Sequence, residues 1–199
     1  MNFITSNLEA TTSLQATFCC RLERTRYSQL DIKSPTLQCT MAAQQELKKR
    51  TRADYPYILE YRTRWADNDM YQHMNNSIYN FLYDSVVNAY LIEHCGLEPS
   101  SSPQHGVVVH SHSDYFASIG FPAVAELALR VNSLGRSSVT YEIGLFEKGV
   151  GPVKAVGEFT HVFVERSTGR PAAAGMNART RGGLERIRAA TESGGASKL

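Results

Sequence analysis

The stretch from Asn76 to Cys95, "NSIYNFLYDSVVNAYLIEHC", limits what this chain can fold into more than any other. Ile78, Phe81, Leu82, Ser85, Val86, Ala89 and Ile92 recur at the i, i+3, i+4 spacing of an α-helix, and Gly96 supplies a C-terminal stop. Tyr79, Tyr83, Val87 and Tyr90 make the flanks apolar as well. A helix apolar on more than one side has to be wrapped, and the rest of the chain offers strands to wrap it. "YILEYRTR" alternates before the helix, and "GVVVHSHSDYFA", "AVAELALRVNSL", "SSVTYEIGLFEK" and "PVKAVGEFTHVFVER" alternate after it, separated by Gly, Pro or Asn. This order predicts an α+β domain: one long central helix and a curved antiparallel sheet of about five strands around it. Periodicity alone does not fix the strand order.

With 199 residues at 42% hydrophobic content, the chain can bury one sizeable core but hardly two. We expect a single domain over 41–190, a tail-like segment at 191–199, and an extension at 1–40 that shows neither helical nor alternating periodicity. Arg21, Arg24 and Arg26 give that extension the flavour of a mitochondrial transit peptide, against which stand Glu9, Glu23 and Asp31. The alternatives are a disordered tail or a functional start at Met41, so the expected location is cytoplasmic or mitochondrial. The net charge of +2 is too balanced to imply a nucleic-acid surface. Cys19, Cys20, Cys39 and Cys95 form no CxxC pair, which fits a reducing compartment better than a disulfide framework or zinc site. No apolar run approaches the ~18 residues of a membrane span.

The polar cluster "DNDMYQHMNN", Asp67 to Asn76, stands immediately before the helix. Attack on an activated acyl carbonyl needs a base or nucleophile, an oxyanion stabiliser and a dry acyl site. A carboxylate at Asp69 can activate water or attack a carbonyl, and the free N–H groups of the first helical turn can receive the oxyanion. "WADNDMYQHMNNSIYNFLYD" resembles the signature of the 4-hydroxybenzoyl-CoA thioesterase family of hotdog-fold acyl-CoA hydrolases, with Trp65, Asp67, Asp69, His73, Asn75, Asn76 and Tyr79 in matching places. The resemblance covers Tyr57 to Arg166 and implies the hotdog topology, a metal-independent acyl-CoA thioester hydrolase without cofactor, and a homo-oligomer, dimer or tetramer, with sites between subunits. It also implies Asp69 as the catalytic carboxylate, whether base or nucleophile, and a carbonyl-polarising N–H at or near Asn76. His73 and Asn75 would orient the loop or the thioester. Gln72 departs from the pattern, which has Gly there, and a tight turn at that place needs φ > 0.

Each residue also has a plainer role available. Asp67 can fix the loop or cap the helix, and His73 can hold the loop through backbone hydrogen bonds. Asp84 is the reserve catalytic acid, because some hotdog thioesterases carry theirs on the helix; it can equally be a surface residue. His110, His112 and Asp114 in "HSHSD" alternate onto one strand face at a spacing able to hold a divalent metal, which keeps a metal-dependent hydrolase as an alternative. The D-x-N-P-x-H motif of hotdog hydratases is absent, whereas a non-catalytic acyl-CoA binding module stays open. For CoA phosphates the turn "LGRSS" offers Arg136 with Ser137 and Ser138, and Lys154, Arg166 and Arg170 are further cations. Tyr79, Phe81, Tyr83, Tyr115 and Phe116 are candidates for the acyl pocket or for plain core.

Overall fold

The structure, a computed structural model, describes residues 35–189. The expected targeting segment with Cys19 and Cys20, up to residue 34, and the tail from residue 190 lie outside the described residues. Helix α1 (Pro35–Leu47) runs through Met41, so the compositional break falls inside an element. The chain divides into two units, Met1–Gln44 and Gln45–Leu199, and everything below belongs to the second.

That unit contains β1 (Tyr57–Arg62), α2 (Asn76–Cys95), β2 (Gln104–Tyr115), β3 (Val124–Leu134), β4 (Ser138–Glu147), β5 (Val153–Glu165) and α3 (Ala178–Glu185). The strands form one antiparallel sheet in the order β1-β3-β4-β5-β2. The chain leaves one edge of the sheet at β1, runs through α2, and re-enters at the other edge as β2. Thr63 N–H donates to the Ala123 carbonyl (3.1 Å), which ties the start of the loop before α2 to the start of β3.

α2 buries Tyr79, Leu82, Tyr83, Val86, Val87, Tyr90, Leu91 and Cys95. This is an unbroken i, i+3, i+4 series one residue out of phase with the expected stripe, which leaves Phe81 67% exposed and Ile92 on the surface. The flanking tyrosines decide the phase, because a tyrosine buries more apolar area than a serine or alanine can. Facing them are Leu127, Leu129, Val139, Tyr141, Ile143, Phe159 and Phe163 from the sheet. Each such side chain contributes about 1.5–3 kcal/mol on burial. Gly157 makes the close approach possible: a Cβ there would come within 2.3 Å of the Tyr83 ring. Gly96 ends the helix with φ 68°, as its position in the sequence requires.

The sequence reading missed α3. Its segment "ARTRGGLE" has no apolar stripe and carries adjacent glycines, both signals against a helix. The Asn177 cap on Thr180 N–H (2.8 Å), the burial of Leu184 and a Tyr90 hydroxyl donating to the Gly183 carbonyl (2.7 Å) hold it. Also missed was a hub on the sheet face away from α2. Buried Glu142 accepts from Arg50 Nε (2.9 Å), Tyr55 Oη (2.8 Å), Arg130 (2.8 Å) and Asn132 Nδ2 (2.9 Å).

Candidate active site

The loop between Arg64 and α2 is built on Asp67, which is 0% exposed. One of its oxygens accepts from Arg64 Nε (3.0 Å) and the terminal guanidinium nitrogen (2.8 Å); the other accepts from Arg64 N–H (2.7 Å) and the Tyr61 hydroxyl (3.0 Å). Burial pushes this carboxyl up, but the Arg64 and Tyr61 donors outweigh it and hold the group below the usual carboxylate range. The Asp67 carbonyl also accepts Asn75 N–H (2.8 Å). With both oxygens engaged, Asp67 fixes the loop.

Asp69 is arranged differently. Its backbone N–H donates to the His73 carbonyl (2.8 Å) and its own carbonyl accepts Gln72 N–H (3.1 Å), which closes a tight turn. Oδ1 accepts from Tyr71 N–H (2.8 Å) and His73 N–H (3.2 Å). Oδ2 has no partner among the described residues. The carboxylate is thus held by one oxygen, and Asp69 lines a cleft of about 490 Å³ with Trp65, Asn68, Met70, Gln72 and Phe121.

Gln72 adopts φ 64°, the one non-glycine residue with positive φ among the described residues, so the tight turn is made here without glycine. An L-residue there costs about 1–2 kcal/mol, of which glycine would return part to chain entropy. Gln72→Gly is therefore expected to raise stability by about 0.5–1 kcal/mol, read as a rise of roughly 1–4 °C in thermal midpoint. An unchanged or lower midpoint would show that Gln72 makes compensating contacts.

Asn75 is the N-cap of α2; its Oδ1 accepts from Ser77 N–H (3.0 Å) and Ser77 Oγ (2.8 Å). That leaves the N–H of Asn76, the first helical residue, without a partner among the described residues, at the positive end of the α2 dipole. His73 contributes its backbone to the Asp69 turn, while its exposed ring lines a pocket of about 280 Å³ with Met74, Asn76, Tyr79, Tyr115 and Phe116. Burial and the neighbouring Tyr115 push the Tyr79 hydroxyl up to about 12, so it stays a neutral phenol. The carboxylate and the helix N-terminus, expected in one site, thus open onto different depressions of this loop. Of the expected pocket aromatics, Tyr79, Tyr115 and Phe116 line the pocket, whereas Tyr83 lies wholly in the core.

Asp84 belongs to a third depression, a groove of about 350 Å³ with Ser77, Asn80, Phe81, Val108, Ser111 and Phe159. It is exposed, and its carboxylate accepts from Asn88 Nδ2 (3.0 Å). Close to it lies His161, 2% exposed, with both ring nitrogens unpartnered. Burial pushes its pKa down to about 4, with the Asp84 charge acting the other way. Only its alternation with Phe159 and Phe163 marked His161 in the sequence, and that reads as core.

Among the expected phosphate contacts, Arg136 is exposed and donates to the Ala173 carbonyl. The Ser137 carbonyl accepts Phe163 N–H (2.7 Å), and Ser138 opens β4. Their turn follows the end of β3, whereas the Asp69 loop is tied to its start; an extended strand of that length spans about 36 Å. Arg166 donates to the Ser102 and Pro99 carbonyls (both 2.7 Å), and Lys154 pairs with Glu147 (2.9 Å). A cation the sequence reading passed over, Lys48, has its ammonium 5.6 Å from the centroid of the ring of Phe116, one of the residues that line the pocket. His110, His112 and Asp114 lie on β2, with His112 Nε2 and Asp114 Oδ2 3.0 Å apart.

A long helix wrapped by a five-strand antiparallel sheet, with a carboxylate-bearing turn at the helix N-terminus, defines a hotdog-fold protein. The profile of the thioesterase-like superfamily matches residues 63–177. The chain belongs to the thioesterase-like superfamily. It is 42% identical to the PA5185 protein from Pseudomonas aeruginosa strain PAO1, with 70% of this chain and 96% of that one covered and a TM-score of 0.67. Two more distant structures share the fold. The Dynemicin thioesterase, studied with bound polyene, is 15% identical over 67% of this chain and 98% of its own, with a TM-score of 0.62. The hypothetical protein SAV2348 from Staphylococcus aureus, solved in complex with CoA, is 15% identical over 70% of this chain and 85% of its own, with a TM-score of 0.60. No curated protein matches the chain. Among the described residues no helix is long and apolar enough to cross a membrane.

Proposed function

We propose that this protein hydrolyses acyl-CoA thioesters without a metal ion, in the manner of the 4-hydroxybenzoyl-CoA thioesterase family that its loop motif resembles. The observation that carries this reading is the state of Asp69: one oxygen fixed by backbone donors, the other free, in a turn that leads directly into a helix N-terminus with an unpartnered N–H. Asp69 takes a proton from an attacking water, or itself attacks the thioester carbonyl, and the Asn76 N–H receives the oxyanion; its collapse breaks the C–S bond and releases CoA, protonated to the thiol, and in the second route water then hydrolyses the acyl-Asp69 anhydride. Asn75 holds the helix N-terminus and Asp67 holds the loop that carries Asp69; the thioester carbonyl lies across the rim between the cleft of Asp69 and the pocket of Asn76, which His73 lines. The CoA-bound SAV2348 supports a CoA-type ligand for this fold.

The site is completed by a second copy. β2 is an edge strand on which Val107, Val108 and Val109 are all exposed, and an edge of this kind pairs with another strand. The Arg136 turn, at the far end of β3 from its own Asp69 loop, meets CoA phosphates in the partner's site.

A panel of acyl-CoA substrates followed by free-thiol release tests the reading. Hydrolysis of at least one substrate is expected, with turnover unchanged by EDTA because every proposed role is filled by a protein group. Turnover lost with chelator and restored by Zn²⁺ would move the chemistry to a metal. CoA binding without any thiol release would leave a non-catalytic binding module.

A further inference from the structure

We propose that His110, His112 and Glu158 form a binding site for a divalent transition-metal ion of the Zn²⁺ class, on the sheet face turned away from α2 and separate from the thioester site. The alternation of the strands places it there. On β5, Phe159, His161 and Phe163 are buried toward α2, so Glu158 points to the opposite face. β2 runs antiparallel to β5 with His112 opposite Glu158 and His110 opposite Thr160, so both histidines share that face with Glu158. Ser111 lines the groove with Phe81 and Asp84 on the other face, which gives the same assignment independently.

One ligand atom from each of His110, His112 and Glu158 lies within 4.8 Å of the others. Zn–N and Zn–O bonds of about 2.0–2.2 Å bring tetrahedral ligand atoms to about 3.3–3.6 Å from one another. Both imidazoles are exposed and Glu158 is half-buried, so rotation about their side-chain torsions can close the remaining distance without moving backbone. Two neutral imidazoles and one carboxylate suit Zn²⁺, Co²⁺ or Ni²⁺ better than Mg²⁺ or Ca²⁺, which prefer all-oxygen shells. Sequence spacing put Asp114 in the third ligand position. The cross-strand register puts Glu158 there and leaves Asp114 hydrogen-bonded to the His112 ring at 3.0 Å, where it holds one nitrogen and frees the other for the ion. The fourth position of the tetrahedral site is left for water, a small anion or a group from another chain.

The test is titration of the untagged full-length chain with Co²⁺, read by its visible absorption, and with Zn²⁺ by calorimetry. Saturable binding is expected, weakened at least about tenfold by His110→Ala, by His112→Ala and by Glu158→Gln, and about tenfold by Asp114→Asn with the Co²⁺ spectrum retained. Acyl-CoA turnover should be unchanged in His110→Ala and Glu158→Gln, so the outcome is independent of the thioesterase reading. Wild-type protein that takes up neither ion, or variants that bind both as tightly as wild type, would overturn the proposal.

Discussion

Replacing Glu142 with alanine is expected to lower the unfolding free energy by about 3–5 kcal/mol, the loss that follows when one partner of a buried ion pair is removed. Glu142 is 3% exposed, yet it is shared by Arg50, Arg130, Tyr55 and Asn132, so its removal strands two guanidinium groups and two neutral donors at once. The penalty falls mainly on Arg130, the more deeply buried of the two cations. For a domain of this size the thermal midpoint should drop by roughly 6–20 °C. Burial pushes the Glu142 carboxyl up, but the bonds from Arg50, Asn132, Arg130 and Tyr55 pull it below its ordinary 4.5. A carboxylate with a depressed folded pKa stabilises fully above its unfolded value, and that contribution is lost as pH falls through the folded value. The gap between wild type and Glu142→Ala, measured by urea unfolding, should therefore be widest near neutrality and shrink below about pH 4.5. A gap under about 1 kcal/mol at pH 7 would mean that solvent screens the hub.

Much of the fold was legible because the chain keeps its two periodicities apart. Five alternating runs became five strands within a residue or two of their expected ends, and Gly96 stopped α2 where a left-handed cap belongs. The helix phase was harder to read, since Tyr79, Tyr83, Val87 and Tyr90 present an apolar arc broad enough to accommodate two stripes; only packing against the sheet selects one. α3 was illegible for the opposite reason: tertiary contacts at Tyr90 and Leu184 hold a segment whose own composition argues against helix.

At the site, the motif located the loop and pointed to Asp69 as the catalytic carboxylate, but the hydrogen bonds that set it apart from Asp67 were out of reach. They depend on Arg64 and Tyr61 converging on Asp67, and on the Tyr71 and His73 N–H groups reaching Asp69. The departure at Gln72 was visible, and its backbone adopts the positive φ that a tight turn there needs. Relations across strands were out of reach from spacing: the place of Glu158 beside the histidines, and the separation of Arg136 from Asp69 by the whole length of β3.

Asp69→Asn keeps the side chain's size and an oxygen for Tyr71 and His73 N–H, while it removes the free basic oxygen. The turn should hold, because Gln72, His73 and the Asp69 backbone close it independently of the charge. Positioned general bases typically contribute about 10²–10⁴-fold, so kcat should fall by that factor while acyl-CoA binding persists. Asp84→Asn should cost little, since Asp84 lies in a different groove and its carboxylate is engaged by Asn88. Asp67→Asn should act through the loop, lowering stability together with turnover, because it gives up the charge facing the Arg64 guanidinium. The decisive measurement is thiol release from one hydrolysed acyl-CoA at saturating concentration by wild type, Asp69→Asn and Asp84→Asn side by side. Turnover reduced at least about 10²-fold in Asp69→Asn alone is the expected result; near-wild-type turnover in Asp69→Asn with turnover abolished in Asp84→Asn would place the catalytic acid on the helix and contradict the assignment.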